Sequence, residues 1–464
     1  MQCPHDICGL GQVAIAILPD DVLLAIFFFY GEANRFNLLW WIPLVHVCRR
    51  WRQVSFRSPL HLRLVLHCNY RRPARRSSDI WPPLPIAITY FVHDSCQESE
   101  DIVAALEHHD RVTEISFEGL TSSNVEWLAK AMLEPFPGLT SLELFPSWAY
   151  VSVPAPVPVL PDAFLGGNAP SLRRLALDSI AFPALPKLLL SSTCLISLEL
   201  RRTPIATYIT AEVMAACLAA LPSLEVLRIE DPSDRTDPDK TSLSPPPSVV
   251  LPSLTYFYFK GLGEYLEYLV ARMDAPRLYV LSITFYDPIS PVPQLLRLID
   301  RIGWLRSISA IEVTFGYEVV KLKETYPFGL KLAIMHNNPA NQVSSTAALC
   351  HELWPLLSHI KHLEFYGEFV DPPSESQWDD TYPAQLLKLF RPFVSVQSLH
   401  ISSRLARPIA HALQTLTGER AKKILPELGN ILWKGTQPSE SVRQDMEAFA
   451  AMRRQLFDHP AAIR

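Results

Sequence analysis

From Ala33 to Ser78 the chain contains no aspartate, no glutamate and no lysine. Ten arginines carry the charge there, so this segment is +10 and the remainder −15 within a net charge of −5. Catalytic signatures are missing as well. There is no GxSxG, HExxH or Walker A loop, and Gly261–Glu267 has too few glycines for a dinucleotide fingerprint. A chain without these residues is expected to be non-enzymatic and to need no cofactor. The eight cysteines are scattered with no CxxC pair, and neither His108–His109 nor His351 has partners at metal-ligand spacing. Such cysteine usage fits buried thiols in a reducing, intracellular compartment, cytoplasm or nucleus. No apolar run is long and clean: Val13–Tyr30 is interrupted by Pro19-Asp20-Asp21, and no basic segment precedes it. This argues against a signal peptide or a membrane span.

Glycine is scarce as well, 16 residues against 41 prolines in 464. Proline ends helices and stays out of central strands, so many short elements with firm punctuation are expected. A pattern with apolar residues at positions 1, 4 and 6 recurs along the chain. It starts at Val112, Leu139, Leu172, Leu195, Leu224, Leu254, Leu278, Ile308, Ile360, Val396 and Leu428. Positions 4 and 6 share one face of a strand because side chains alternate with period two. Leu330–Ile334 reads as an extra strand inside the long step from Ile308 to Ile360. Between the strands, Asn124–Leu133, Ala211–Leu221, Glu264–Met273, Gln294–Ile302 and Ala384–Phe390 have helical apolar spacing. No such unit buries its own face, so the units must stack as a solenoid.

These motifs resemble the leucine-rich repeat, LxxLxLxx(N/C)xL, over most of 112–433. The departure is position 9, which holds Ser147, Ile180, Thr203, Pro232, Leu262 and Tyr286 and never Asn or Cys. Without an asparagine ladder the array is expected to be irregular and held by packing. Phe145–Asp162, Asp231–Ser248 and Asp371–Pro383 read as loops or inserts, and Glu440–Pro460 as an amphipathic capping helix.

At the other end, Pro19, Asp20 and Asp21 suit the first turn of a helix whose apolar face is Val22, Leu23, Ile26, Phe27 and Tyr30. Leu44, Val47, Cys48 and Trp51 repeat the spacing, and Ser58–Leu66 supplies a third apolar run. Three short helices make a small core that gains by docking on something else. "LPDDVLLAIF", "LVHVCRRWRQVSF" and "SPLHLRLVL" together resemble an F-box, and their order before degenerate repeats is similar to that of fungal F-box/leucine-rich-repeat proteins. The resemblance implies docking on a Skp-type adaptor and, through it, a cullin. It assigns the adaptor-facing role to Leu18, Pro19, Val22, Leu23, Ile26, Phe27, Leu44, Val47 and Trp51, with packing inside the module as the alternative for Val47 and Trp51. The link between the two helices is unusually aromatic, and Phe28, Phe29, Trp40 and Trp41 are expected to fill the core.

The expected fold is therefore α+β and α/β. It comprises a small three-helix F-box over 15–67, a basic linker and cap region over 68–108, an irregular leucine-rich-repeat solenoid over 109–436, and a capping helix and tail over 437–464. The resemblance implies a substrate-recognition subunit of an SCF-type ubiquitin ligase with an unknown target protein. Two alternatives stand beside it: a scaffold acting without ubiquitination, and a basic nucleic-acid-associated protein using Arg71, Arg72, Arg75 and Arg76. The −15 remainder weighs against phosphate binding by the repeats. The target is expected on outward strand positions, with Arg228, Tyr256, Tyr258, Glu312, His362 and Glu364 the candidates and the two tyrosines the anchors.

Overall fold

The structure is a computed structural model. It describes residues 15–34, 37–59, 61–69, 81–91, 96–146, 157–230, 249–286, 291–325, 329–336, 339–368, 382–416, 419–435, 439–456 and 462–463. The chain divides into two compact units: Met1–Pro156 with Ala163–Ser171, and Val157–Asp162 with Leu172–Arg464. Arg71–Arg76, Asp231–Ser248 and most of the other two expected loops lie outside the described residues.

The first unit opens with helices α1 (Asp20–Ala33), α2 (Ile42–Val47) and α3 (Arg49–Arg57). Leu44–Phe56, read as one helix, is two, because Cys48 is extended at φ −157°, ψ 171°. Arg52 bridges the break: its Nε donates to the Val45 carbonyl at 2.9 Å, satisfying an acceptor left open at the end of α2. Ser58–Leu66 forms no third helix; turns there lead into strand β1 (Leu66–Cys68). Leu23, Phe27, Trp41, Leu44, Val45 and Val54 fill the core of this unit's helical part, and Phe27 packs on Trp51 at 4.8 Å between ring centroids. Gly31 is required where α1 meets the aromatic link, since a Cβ there would stand 2.8 Å from the Trp40 ring. Of the four aromatics expected inside, Trp41 is buried but Phe29 is 70% exposed.

Strands β2 (Ile86–Phe91), β3 (Val112–Leu120) and β4 (Ser141–Pro146) follow β1 in parallel, each pairing with the next. The repeating strands thus begin at Leu66, inside the stretch expected to hold only the helical module and a linker. The helix Ser122–Ala131 is capped by Thr121. Thr121 Oγ1 accepts from the Asn124 N–H, and Asn124 Oδ1 accepts from the Thr121 N–H, a capping box.

The second unit is a mixed α/β array built on a long, mostly parallel sheet. Its first strands are β5 (Arg174–Asp178), β6 (Ser197–Arg201) and β7 (Val226–Glu230). Next come β8 (Val249–Val250), β9 (Tyr256–Gly261), β10 (Met273–Asp274) and β11 (Val280–Tyr286), of which β8 and β10 pair with each other in a separate two-stranded sheet while β9 and β11 continue the long one. Strands β12 (Ala310–Phe315), β13 (Val319–Glu324) and β14 (Leu330–Met335) form a meander. The last are β15 (His362–Gly367), β16 (Ser398–Ser402), β17 (Asn430–Lys434) and β18 (Ala462–Ile463). In-register parallel pairing stacks Leu175, Leu198, Leu227, Phe257 and Leu281 into one ladder, and Leu177, Leu200, Ile229, Phe259 and Ile283 into another. Helices such as Ala211–Ala219, Gly263–Val270 and Pro293–Arg301 close the other side. Every apolar position of the recurring pattern in both units is buried except Trp433.

One topological feature departs from the expectation. The long step holds two extra strands, not one. After β11 the chain skips two sheet positions to lay down β12, returns antiparallel through β13, and ends as β14 beside β11. A tight turn with Gly316 N–H on the Val319 carbonyl, 2.9 Å, joins β12 to β13. The β13–β14 connection closes on Gly329, whose missing side chain makes room for Trp304: a Cβ would lie 2.4 Å from its ring. Side-chain bonds also link neighbouring repeats without an asparagine ladder. Thr140 donates to the Thr113 carbonyl, and Thr255 to the Glu225 carbonyl. Glu267 accepts from the Gln294 and Leu295 N–H groups at the start of the next helix. The helix Glu440–Leu456 packs Val442, Met446 and Phe449 inward as expected, and β18 adds a strand beyond it.

Candidate functional site

Two surfaces hold the residues singled out from the sequence, one in each unit. In the first, the helical module divides them by depth. Leu23, Phe27 and Leu44, expected on a docking face, are buried in the module's own core. They point inward because a three-helix core has few other apolar side chains to fill it. Leu18 and Trp51 are partly buried, Trp51 by its contact with Phe27. Pro19, the N-cap of α1, and Val22 and Ile26 on α1 remain exposed, and Val47, at 59% exposure, does not pack inside. The apolar exposed set also includes Ile17, Phe29 and Leu38, which the spacing had not assigned to the surface.

The arginines beside it are partly structural. Arg50 donates to Asp20 Oδ1 at 2.7 Å and to the Leu18 carbonyl, tying α3 to the start of α1. Arg63 reaches Glu32 at 3.5 Å. Arg49 and Arg57 face solvent.

In the second unit the outward face of the sheet carries the other candidates. Parallel register places Glu199, Arg228, Tyr258 and Ser282 side by side on one level of four successive strands. The same level continues through Lys331, Lys323, Glu312 and Glu364 to His400. Tyr256 and His362 lie on the level two residues earlier. The candidates do not form one site. The β12–β14 meander puts five strand steps between Tyr258 and Glu364, about 24 Å at ~4.8 Å per step.

One end of this face is internally committed. Glu364 is buried to 8% exposure and accepts from Lys434 Nζ at 2.6 Å and Tyr366 Oη at 3.1 Å; His400 Nδ1 is 3.7 Å away. Lys434 also donates to Tyr366. Burial opposes the Lys434 charge, but these bonds outweigh it and raise its pKa. Burial, joined by the nearby charges of Lys434 and His362, depresses His400 against the pull of Glu364. Glu312 is likewise occupied, pairing with Lys323 at 3.1 Å and accepting from Thr314 at 2.6 Å. His362 donates to or accepts from Ser398 at 2.7 Å. Glu312 and Glu364, two of the expected target-binding candidates, thus have their carboxylates paired within the sheet face.

The other end is aromatic and cationic. Arg228 lies over the Tyr258 ring, and Lys260 lies 5.4 Å from the Tyr286 ring centroid while bonding Glu230 at 2.9 Å. Burial raises the Tyr258 and Tyr286 phenols, so both stay protonated donors at neutral pH. Lys321, Lys323 and Lys331 extend this region, and sequence reading missed all three. The signal was present: "VVKLKE" alternates apolar and charged residues with period two, which places both lysines on one face.

Among the described residues no group of three or more His, Cys, Asp and Glu side chains could hold a metal ion. No helix among them is long and apolar enough to cross a membrane.

No family model matches the chain. No curated protein matches it in sequence. Among solved structures, the leucine-rich repeat-containing protein LegL7 from Legionella pneumophila is similar at 11% identity, over 78% of this chain and 96% of that one, with a TM-score of 0.27. A superposition that loose carries no weight for fold or function.

Proposed function

We propose that the chain is a non-enzymatic substrate receptor of an SCF-type ubiquitin ligase. The helical module docks on a Skp-type adaptor, and through it on a cullin, while the repeat array holds a target protein. One observation carries this reading: the exposed apolar set Pro19, Val22, Ile26 and Val47, on the helices whose motifs resemble an F-box. Apolar side chains at these positions contribute nothing to the module's own core and gain by burial against another protein. The mechanism is proximity: holding the target near a remote catalytic centre raises its effective concentration there. The arginines around the patch favour an acidic partner and speed its encounter.

Affinity purification of the full chain tests this. Recovery of a Skp-type adaptor together with a cullin is expected. Recovery of the adaptor without a cullin indicates the scaffold alternative, and recovery of neither sinks both readings.

A further inference from the structure

We infer that the centre of the outward sheet face, between Arg228 and Lys331, takes an extended acidic segment of a partner protein. The inference rests on the receptor reading in one respect only: the segment belongs to the target that the array would present.

Charge on this part of the face is unbalanced. Lys323 and Lys331 are direct cross-strand neighbours in the antiparallel β13–β14 pair. Like charges placed opposite one another destabilise a sheet. Lys323 relieves its own charge on Glu312, and Lys321 pairs with Glu368 at 3.2 Å. Lys331 has no ion pair among the described residues and faces solvent. Partial desolvation of its ammonium by the surrounding side chains, and then the charges of Lys321, Lys323 and Arg228, depress its pKa, as they must where cations gather without enough carboxylates. Three strand steps away, Arg228 is also incompletely satisfied. Its Nε is buried without a hydrogen-bond partner, and its nearest carboxylate, Glu230 at 3.8 Å, sits closer to Lys260.

The spacing selects the occupant. Tyr258 lies between the two cations on the same level and offers its phenol hydroxyl, its ring being covered by Arg228, while the neighbouring Ser282 is buried. Three strand steps of ~4.8 Å separate Arg228 from Lys331 by about 14 Å, which four residues of extended chain at ~3.4 Å each also cover. An extended segment with acidic side chains at alternate positions therefore puts one carboxylate on each cation and a middle one toward the Tyr258 hydroxyl. The site is local: the chain as a whole is acidic, with a net charge of −5, so attraction comes from this cluster and not from the overall charge.

The test uses the purified full chain and a fluorescein-labelled decapeptide of alternating Glu and Ser, with a Gln-for-Glu counterpart, read by fluorescence anisotropy at low and physiological salt. The acidic peptide is expected to bind, weaken as salt rises, and lose about tenfold or more in affinity with Lys331→Glu. The Gln peptide is expected not to bind. Lys331→Met keeps the aliphatic stem, removes the strained charge and is expected to retain or raise the melting temperature while weakening the peptide. Failure of the folded wild type to bind, or equal affinity for wild type and Lys331→Glu, overturns the inference. The same variants are carried through adaptor capture. Adaptor capture with no peptide binding removes the acidic-segment site alone; peptide binding with no adaptor capture removes the receptor reading and leaves the site standing.

Discussion

The Arg228 guanidinium stands over the Tyr258 ring, 4.2 Å from its centroid, with the two residues directly paired on adjacent parallel strands. The tyrosine is therefore half of a stacked pair and not an isolated aromatic anchor. Arg228 lies over the ring, and its Nε is buried out of water. A partner meets both together. Double-mutant analysis of Arg228→Ala and Tyr258→Ala in urea denaturation should give a coupling energy of about 0.5–2 kcal/mol, the double variant losing less than the sum of the singles. Strict additivity would mean that the stacking contributes nothing.

The apolar ladder, by contrast, is cooperative and unforgiving. Leu198 and Leu227 are fully buried neighbours in it. Leu198→Ala is expected to cost about 2–5 kcal/mol, as large-to-small changes in packed cores do. Ser197→Ala, one residue away on the half-exposed outward side, should stay within about 0.5 kcal/mol. Chemical denaturation of both variants measures the contrast.

Thiol accessibility follows the same division. Cys48 and Cys194 are exposed, while Cys68, Cys217 and Cys350 are buried. Burial pushes the Cys68 and Cys217 thiols up to about 11, and Cys350 further still. Under native conditions at neutral pH, a thiol reagent followed by peptide mapping should label Cys48 and Cys194 and spare these three. Labelling of Cys217 before unfolding would show that the Ala211–Ala219 helix is not packed as described.

The committed end of the sheet face should respond to acid. His400 is depressed below its ordinary value of 6.5, chiefly by burial and then by Lys434 and His362, with Glu364 opposing. A histidine held low in the fold takes up protons more readily when unfolded. Its contribution to stability is therefore present above about 6.5 and is lost as pH falls from 6.5 through the folded value. His400→Gln should reduce the difference in urea midpoint between pH 7.5 and pH 5. An unchanged pH dependence would indicate that other groups set the acid limit.

Much of this architecture was legible because a period-two strand with apolar positions 4 and 6 leaves one face that must be buried, and ten of eleven starts lead into a strand with both positions inside. What could not be read was order in space. "VVKLKE" and "LKLAI" are both ordinary strand patterns, and nothing in either says that the chain runs past two sheet positions and returns through them. That detour is decided by long-range packing, including Trp304 against Gly329. It separates Tyr258 from Glu364 and inserts the lysines between them. On the helical module, the spacing gave an apolar face but not its depth: Leu23 and Ile26 belong to one stripe, yet one is core and the other surface. Depth depends on where α3 and the Trp41 link settle, and the break at Cys48, bridged by the Arg52 bond to the Val45 carbonyl, is not encoded in the periodicity.

That difference in depth provides the most direct test of the receptor reading, which is titration of the purified full chain into a purified Skp-type adaptor by calorimetry. Wild type is expected to form a one-to-one complex. Ile26→Asp with Val47→Asp, both on exposed positions, should abolish it without lowering the melting temperature. Leu23→Asp is not a useful substitute, because it places a charge in the core and unfolds the module. A wild-type chain that gives no heat of binding, or an Ile26→Asp/Val47→Asp variant that binds as tightly as wild type, would contradict the account.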